Sequence, residues 1–204
     1  MTGIEEAVQR KADAALRDHP WLNNPVLTQR VKQILGAGTT GAVKRRRIIQ
    51  IIDSANHALA PHTACKTGCG HCCNIAVEIT RREAEAIGAV AHISPMVLPG
   101  ADRETSDRLH QGIALYRDVP CPFLLDQQCS VYEVRPSACR AHHSLNEDNE
   151  QCKMSTPSEA SSVPSFNLKA PLYALAYLAV NAGESVGDIR EYFPKGSDFV
   201  RSAQ

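Results

Sequence analysis

Four cysteines fall within the stretch CKTGCGHCC, at Cys65, Cys69, Cys72 and Cys73, and four more follow at Cys121, Cys129, Cys139 and Cys152. A thiolate sulfur is a soft donor, suited to zinc, copper(I) and iron–sulfur clusters. Four of them close a tetrahedron around one ion if the chain turns tightly enough to aim them inward. Gly68 and Gly70 flank Cys69 and allow such a turn. Cys69 and Cys72 have the C-x-x-C spacing of a metal knuckle, and Cys65 lies within reach of the same ion. Cys72 and Cys73 are adjacent, and on a regular strand or helix their side chains diverge. That divergence assigns them to two metals, or to two corners of a larger cluster. Eight cysteines are enough for two four-sulfur sites.

A divalent ion held by four thiolates carries a charge of about −2, which burial penalises unless cations or N–H donors surround it. Lys66 and His71 lie inside the first cysteine group, Arg135 and Arg140 flank Cys139, and Lys153 follows Cys152. The two guanidiniums suit charge compensation around sulfur, or contact with an anionic substrate. The bland reading makes both of them surface arginines. His71, His142 and His143 add nitrogen donors, and such histidines serve as ligands or as hydrogen-bonding neighbours of ligands.

The 204-residue chain is 43% hydrophobic and 22% charged, the composition of an ordinary globular domain. Aromatic residues are only 5%, so aliphatic and alanine-rich helix packing is expected to fill the interior. Lys+Arg and Asp+Glu balance at 22 each, which gives no long-range field to gather nucleic acid or anionic lipid. The run Lys44-Arg45-Arg46-Arg47 is a local exception that reads as a solvated helix face. The opening MTGIEEAVQRKADAAL has no apolar h-region, and no apolar stretch approaches the roughly 20 residues of a membrane span. A cytoplasmic location is the resulting expectation. Thiols there are kept reduced, which favours metal over disulfides.

Helical periodicity dominates the first sixty residues. Val8, Ala12 and Leu16 recur on one stripe that stops before Pro20, and Asn24-Pro25 starts a second helix bounded by Gly36. Ile48, Ile51, Ile52, Ala55 and Leu59 mark the buried face of a third, which ends before Pro61. NIAVEIT predicts a brief strand. Thr80 to Glu83 reads as a capping box, opening a helix that carries Ala84, Ile87 and Val90. Leu109, Ile113 and Tyr116 mark another helix, and the apolar runs around Asp126-Gln127-Gln128 predict a small hairpin. Pro136 suits the first position of a helical turn bearing Cys139, and Leu168 to Ala182 reads as a last long helix stopped by Gly183.

CKTGCGHCC followed by CPFLLDQQCSVYEVRPSACR resembles the CxxCxxCC, or YkgJ-like, family of zinc- or iron-chelating domains. Cys65, Cys69, Cys72 and Cys73 fall on its first motif. Cys121, Phe123, Leu124, Cys129, Val131, Tyr132, Arg135, Pro136, Cys139 and Arg140 fall on its second, and Cys152 is the candidate for a further family cysteine. Three residues rather than the family's two separate Cys65 from Cys69. The resemblance covers about Cys65 to Cys152 and implies chelation of zinc or iron. A similar domain occurs in flagellin lysine methylases, which brings an iron–sulfur centre and a protein or peptide substrate within what the resemblance implies.

The expected molecule is mainly α with a small β-hairpin, a single compact metal-stapled domain with an N-terminal helical extension. Its expected blocks are residues 1–62 as that extension, 63–155 as the metal-binding domain and 156–204 as a C-terminal helical segment packing on the core. The expected function is a cytoplasmic protein that chelates zinc or iron through eight cysteines. Two alternatives stand beside it: an iron-dependent enzyme modifying a protein or peptide, and a zinc-stabilised nucleic-acid-binding or interaction module. The sequence has no nucleophile elbow, no Gly-rich phosphate loop and no H-E-x-x-H.

Overall fold

A computed structural model describes residues 3–66, 68–100, 115–116, 119–149, 152, 177 and 183–194. The predicted helices over Leu109–Tyr116 and Leu168–Ala182 lie largely outside those residues. The chain divides into two units that interleave in sequence. One contains residues 1–66 and 140–181, the other 67–139 and 182–204.

The first unit is helical. Helix α1 runs from Gly3 to Asp18, α2 from Asn24 to Gly36 and α3 from Gly41 to Leu59. Pro25 sits in the first turn of α2, where its missing N–H has no intrahelical partner to lose. The Thr40 side chain caps α3 by accepting from the Val43 amide. The apolar stripes meet in one core of Ala15, Leu22, Leu27, Val31, Ile48, Ile52, Ala55, Ala58 and Leu59, joined by Ala141 and Tyr177. Ile51, expected on the same face of α3, is only half-buried at the edge of this core.

The second unit mixes short strands with short helices. Strand β1 (Glu78–Thr80) leads into α4 (Arg81–Ala91), β2 (Leu124–Leu125) pairs with β3 (Gln128–Cys129), and α5 runs from Ser137 to Ala141, crossing into the first unit's sequence. Strand β4 (Val186–Asp188) and α6 (Ile189–Tyr192) complete it. β4 lies antiparallel to β1, with Glu78 opposite Asp188 and Thr80 opposite Val186. The expected hairpin is present. Its turn places Asp126 and Gln127 at positive φ, 45° and 61°, as two-residue hairpin turns of matching twist require. The core holds Val77, Ile79, Ala84, Ile87, Phe123, Val131, Ile189, Tyr192 and Phe193. Phe123 meets Phe193 edge to face, with ring centroids 5.0 Å apart. The fold class is therefore mainly α, with two small antiparallel sheets instead of the single hairpin expected.

The capping box read from the sequence forms as expected. The Thr80 hydroxyl accepts from the Glu83 amide, and Glu83 Oε2 accepts from the Thr80 amide at 3.0 Å. Glu83 also does something that its position in the motif does not announce. Its Oε1 accepts from the Ser137 amide at 2.8 Å and the Ser137 hydroxyl at 2.7 Å, capping the start of α5 from another helix. Thr80→Ala should therefore lower stability by about 1 kcal/mol, the usual cost of a lost N-cap. Glu83→Ala, which strips donors at two helix starts, should cost about 2–3 kcal/mol. Urea unfolding of the two variants checks the order, and a larger loss for Thr80→Ala would contradict it.

Candidate metal centre

Cys69, Cys72, Cys73, Cys121, Cys129 and Cys139 belong to the second unit, and Cys65 and Cys152 to the first. All eight are free thiols. Cys72 and Cys73 lie in a 3-10 turn, His71–Asn74, reached through Gly68 and Gly70. Gly68 has φ +85°, a backbone region that a residue with a Cβ resists. Gly70 is needed for a different reason. A Cβ there would lie 2.7 Å from Leu124 Cδ1 and 2.8 Å from the Gln127 carbonyl oxygen, so only glycine lets this loop seat against the hairpin.

The two cysteine groups of the second unit are tied through their backbones. The Cys121 amide donates to the Cys73 carbonyl at 2.7 Å. The Leu124 amide donates to the Cys121 carbonyl, and the Ser130 amide and hydroxyl both donate to the Phe123 carbonyl. Cys121, Cys129 and Cys139 pack, partly buried, against the second core.

The thiols also sense one another electrostatically. The Cys72 thiol is held far above its ordinary value by a hydrogen bond with the Cys73 side chain, by burial and by the Cys73 charge. Burial is the main cause of the raised values at Cys121, pushed up to about 11, at Cys129 and at Cys139. The Cys72, Cys121 and Cys129 charges each raise Cys139 further, Cys72 raises Cys129, and Cys129 raises Cys121. Arg135 opposes the trend at Cys72 and Cys129, and Arg190 at Cys121, but burial outweighs them. Cys72, Cys121, Cys129 and Cys139 are thus packed in surroundings that favour the neutral thiol. Among the described residues, no group of three or more His, Cys, Asp or Glu side chains stands in an arrangement that could hold a metal ion.

Sequence-selected neighbours take separate places. Arg135 lies over the Tyr132 ring, 4.2 Å from its centroid, with its charge felt by two thiols. Arg140, in the first unit, pairs with Asp53 at 2.7 Å. His71 is half-buried in the turn that bears Cys72. In the first unit His142 is pulled below the usual imidazole range by burial, and His143 is buried beside Ser144. Cys65 is exposed, and its Sγ accepts from the Ser144 amide at 3.3 Å. The Cys152 amide donates to the Asn149 carbonyl.

Arg190 escaped the sequence reading and is the most connected residue of the second unit. It is only 5% exposed. Its guanidinium pairs with buried Asp188 at 2.9 Å and donates to the Cys73 and Ile75 carbonyls at 3.1 Å and to the Val119 carbonyl at 2.9 Å. Asp188 caps α6 and accepts from the Val77 amide at 2.7 Å. The available signal was a second capping box, Asp188 to Glu191, which the structure forms in full. Removing one partner of a buried ion pair leaves the other uncompensated, at a cost of about 3–5 kcal/mol. Arg190→Ala should lose stability on that scale. Arg190→Lys should recover only part of it, because an ammonium cannot reproduce the planar fork. Urea unfolding would count against the role of the fork if lysine restored full stability.

Residues 64–156 match the family model CxxCxxCC, whose description is "Putative zinc- or iron-chelating domain". No curated protein and no solved structure matches the chain significantly.

Proposed function

We infer, from a chain whose residues 64–156 are of the CxxCxxCC family, that its second unit chelates zinc or iron through one sulfur-rich centre. Its donors are Cys72, Cys121, Cys129 and Cys139, with Cys69 and Cys73 of the same unit as further candidates, and the side chains would have to turn from their present arrangement to close on an ion. One observation carries this reading: in a single unit, partly buried thiols each oppose the ionisation of their neighbours. Such a set is poor at holding negative charge alone and well suited to holding it around a cation. The donor chemistry fits zinc or iron, since soft thiolates select both. A bound ion would supply the positive charge that Arg135 and Arg190 supply only in part.

A thiol-rich centre suits a reducing compartment such as the cytoplasm, where cysteines are kept from pairing. An iron–sulfur cluster is the form that a group of up to six sulfurs in one unit would favour over a single zinc. Anaerobic purification, elemental analysis and a visible spectrum separate the two, because zinc protein is colourless and an iron–sulfur protein is brown. The enzyme reading rests on the family likeness alone.

Metal uptake should release protons. The Cys72, Cys121, Cys129 and Cys139 thiols are all raised, Cys121 to about 11, so these hold their protons at pH 7, whereas ligating sulfur is deprotonated. Affinity should therefore fall as pH is lowered, and titration of apo-protein with zinc in weak buffer should acidify the solution. Cys139→Ser should lose most of the metal, while Ser54→Ala, on the exposed side of α3, should keep it. Equal metal loss from both variants, or zinc uptake without proton release, would overturn the assignment.

A further inference from the structure

Outside the thiol centre, the feature that best fits a ligand is a groove between α2 and α3 in the first unit. It has a volume of about 380 Å³ and is lined by Arg30, Gln33, Ile34, Arg47, Gln50 and Ile51, with Ser54 at one end. Its setting is strongly basic within a neutral chain. Residues 24–59 contain Arg30, Lys32, Lys44, Arg45, Arg46 and Arg47 against one acid, Asp53, and that carboxylate is taken by Arg140. No carboxylate lines the groove among the described residues. Among the described residues, neither Arg30 nor Arg47 forms an ion pair.

The lining has three chemistries. Ile34 and Ile51, both half-buried, form an apolar floor. Gln33 and Gln50 offer amide donors and acceptors, the Ser54 hydroxyl, which donates to the Gln50 carbonyl, can still accept, and two exposed guanidiniums suit carboxylates. We propose that this groove is a docking site for an acidic peptide segment of a partner protein, one that carries carboxylates on either side of an aliphatic residue. The aliphatic side chain would cover the isoleucines, the amides would pair with peptide backbone, and Arg30 and Arg47 would take the carboxylates.

Single-stranded nucleic acid fits less well. Successive residues on an α-helix are about 100° apart, so Lys44 to Arg47 fan around α3 instead of forming a stripe that tracks phosphates. Only Arg47 of the four lines the groove. The Lys44 amine is already committed to the Leu35 carbonyl at 2.7 Å. No aromatic side chain lines the groove as a stacking platform, and the Trp21 ring is covered by the Arg30 guanidinium, 5.5 Å from its centroid.

The test is fluorescence anisotropy on the full chain as purified with its metal. The probe is a labelled peptide of repeated Glu-Glu-Leu, compared with Gln-Gln-Leu and with an oligouridine of equal charge. The acidic peptide should bind, weaken as salt rises, and lose affinity by about tenfold or more in Arg47→Glu. Ile51→Ser should weaken it too, whereas Arg46→Ala, outside the groove, should leave it nearly unchanged. Circular dichroism and metal content of the variants should match the parent, which separates this surface from the thiol centre. Oligouridine binding as tightly and failing in Arg47→Glu would make the surface a nucleic-acid site and overturn the proposal. Equal weakening by Arg46→Ala would reduce the attraction to diffuse charge and overturn it as well.

Discussion

The arrangement of the second unit depends on one planar cation. Arg190 directs its N–H groups at carbonyls of Cys73, Ile75 and Val119, and its charge at Asp188. The segments so joined are short loops with little core of their own, two residues or fewer from Cys73 and Cys121. A buried guanidinium is costly when any of its donors lacks an acceptor. Here the donors are satisfied by the Asp188 carboxylate and by main-chain oxygens of three loop residues, one of which, the Cys73 carbonyl, also accepts from the Cys121 amide. The cation and the loops solve each other's desolvation problem. The pair is itself fixed by β4, whose register with β1 puts Asp188 opposite Glu78 and beside the Val77 amide.

That backbone frame explains how mutually repelling sulfurs can be kept close. Main-chain hydrogen bonds, such as Cys121 N–H to the Cys73 carbonyl, hold the thiol-bearing segments together, and the Cys72–Cys73 side-chain hydrogen bond adds to them. Their raised values follow mainly from burial, with like charge added. Arg135 and Arg190 contribute opposing charge without cancelling it. A frame that is stable while its thiols are neutral can be loaded afterwards, with protons as the displaced species.

Local signals were legible and long-range ones were not. α1, α2 and α3 follow from periodicity with Pro and Gly punctuation, and the Thr80–Glu83 box and the Asp126-Gln127 hairpin follow from short-range turn chemistry. α5 begins at Ser137, one residue after the Pro136 expected to open it. β4 was missed because three residues, Val186-Gly187-Asp188, have no period to detect, and their partner strand ends at Thr80, more than a hundred residues earlier. NIAVEIT yields only Glu78–Thr80 as strand, since pairing stops where β4 runs out. The cysteines declared themselves by residue type. Arg190 did not, because a lone arginine beside an aspartate resembles a surface pair until its burial is known. Arg135 and Arg140 look equivalent in sequence, yet one lies near thiols and the other is committed to Asp53.

The number of centres turns on Cys72 and Cys73. Divergent side chains on a regular element would send the two sulfurs to different ions, and eight cysteines would then divide four and four. The 3-10 turn His71–Asn74 instead leaves the two thiols hydrogen-bonded to each other. Cys72 is also the sulfur whose charge reaches both Cys129 and Cys139. Cys73 therefore touches a thiol that itself reaches two others of the group. With the adjacent pair in contact, the geometric argument that sent Cys72 and Cys73 to different ions loses its premise.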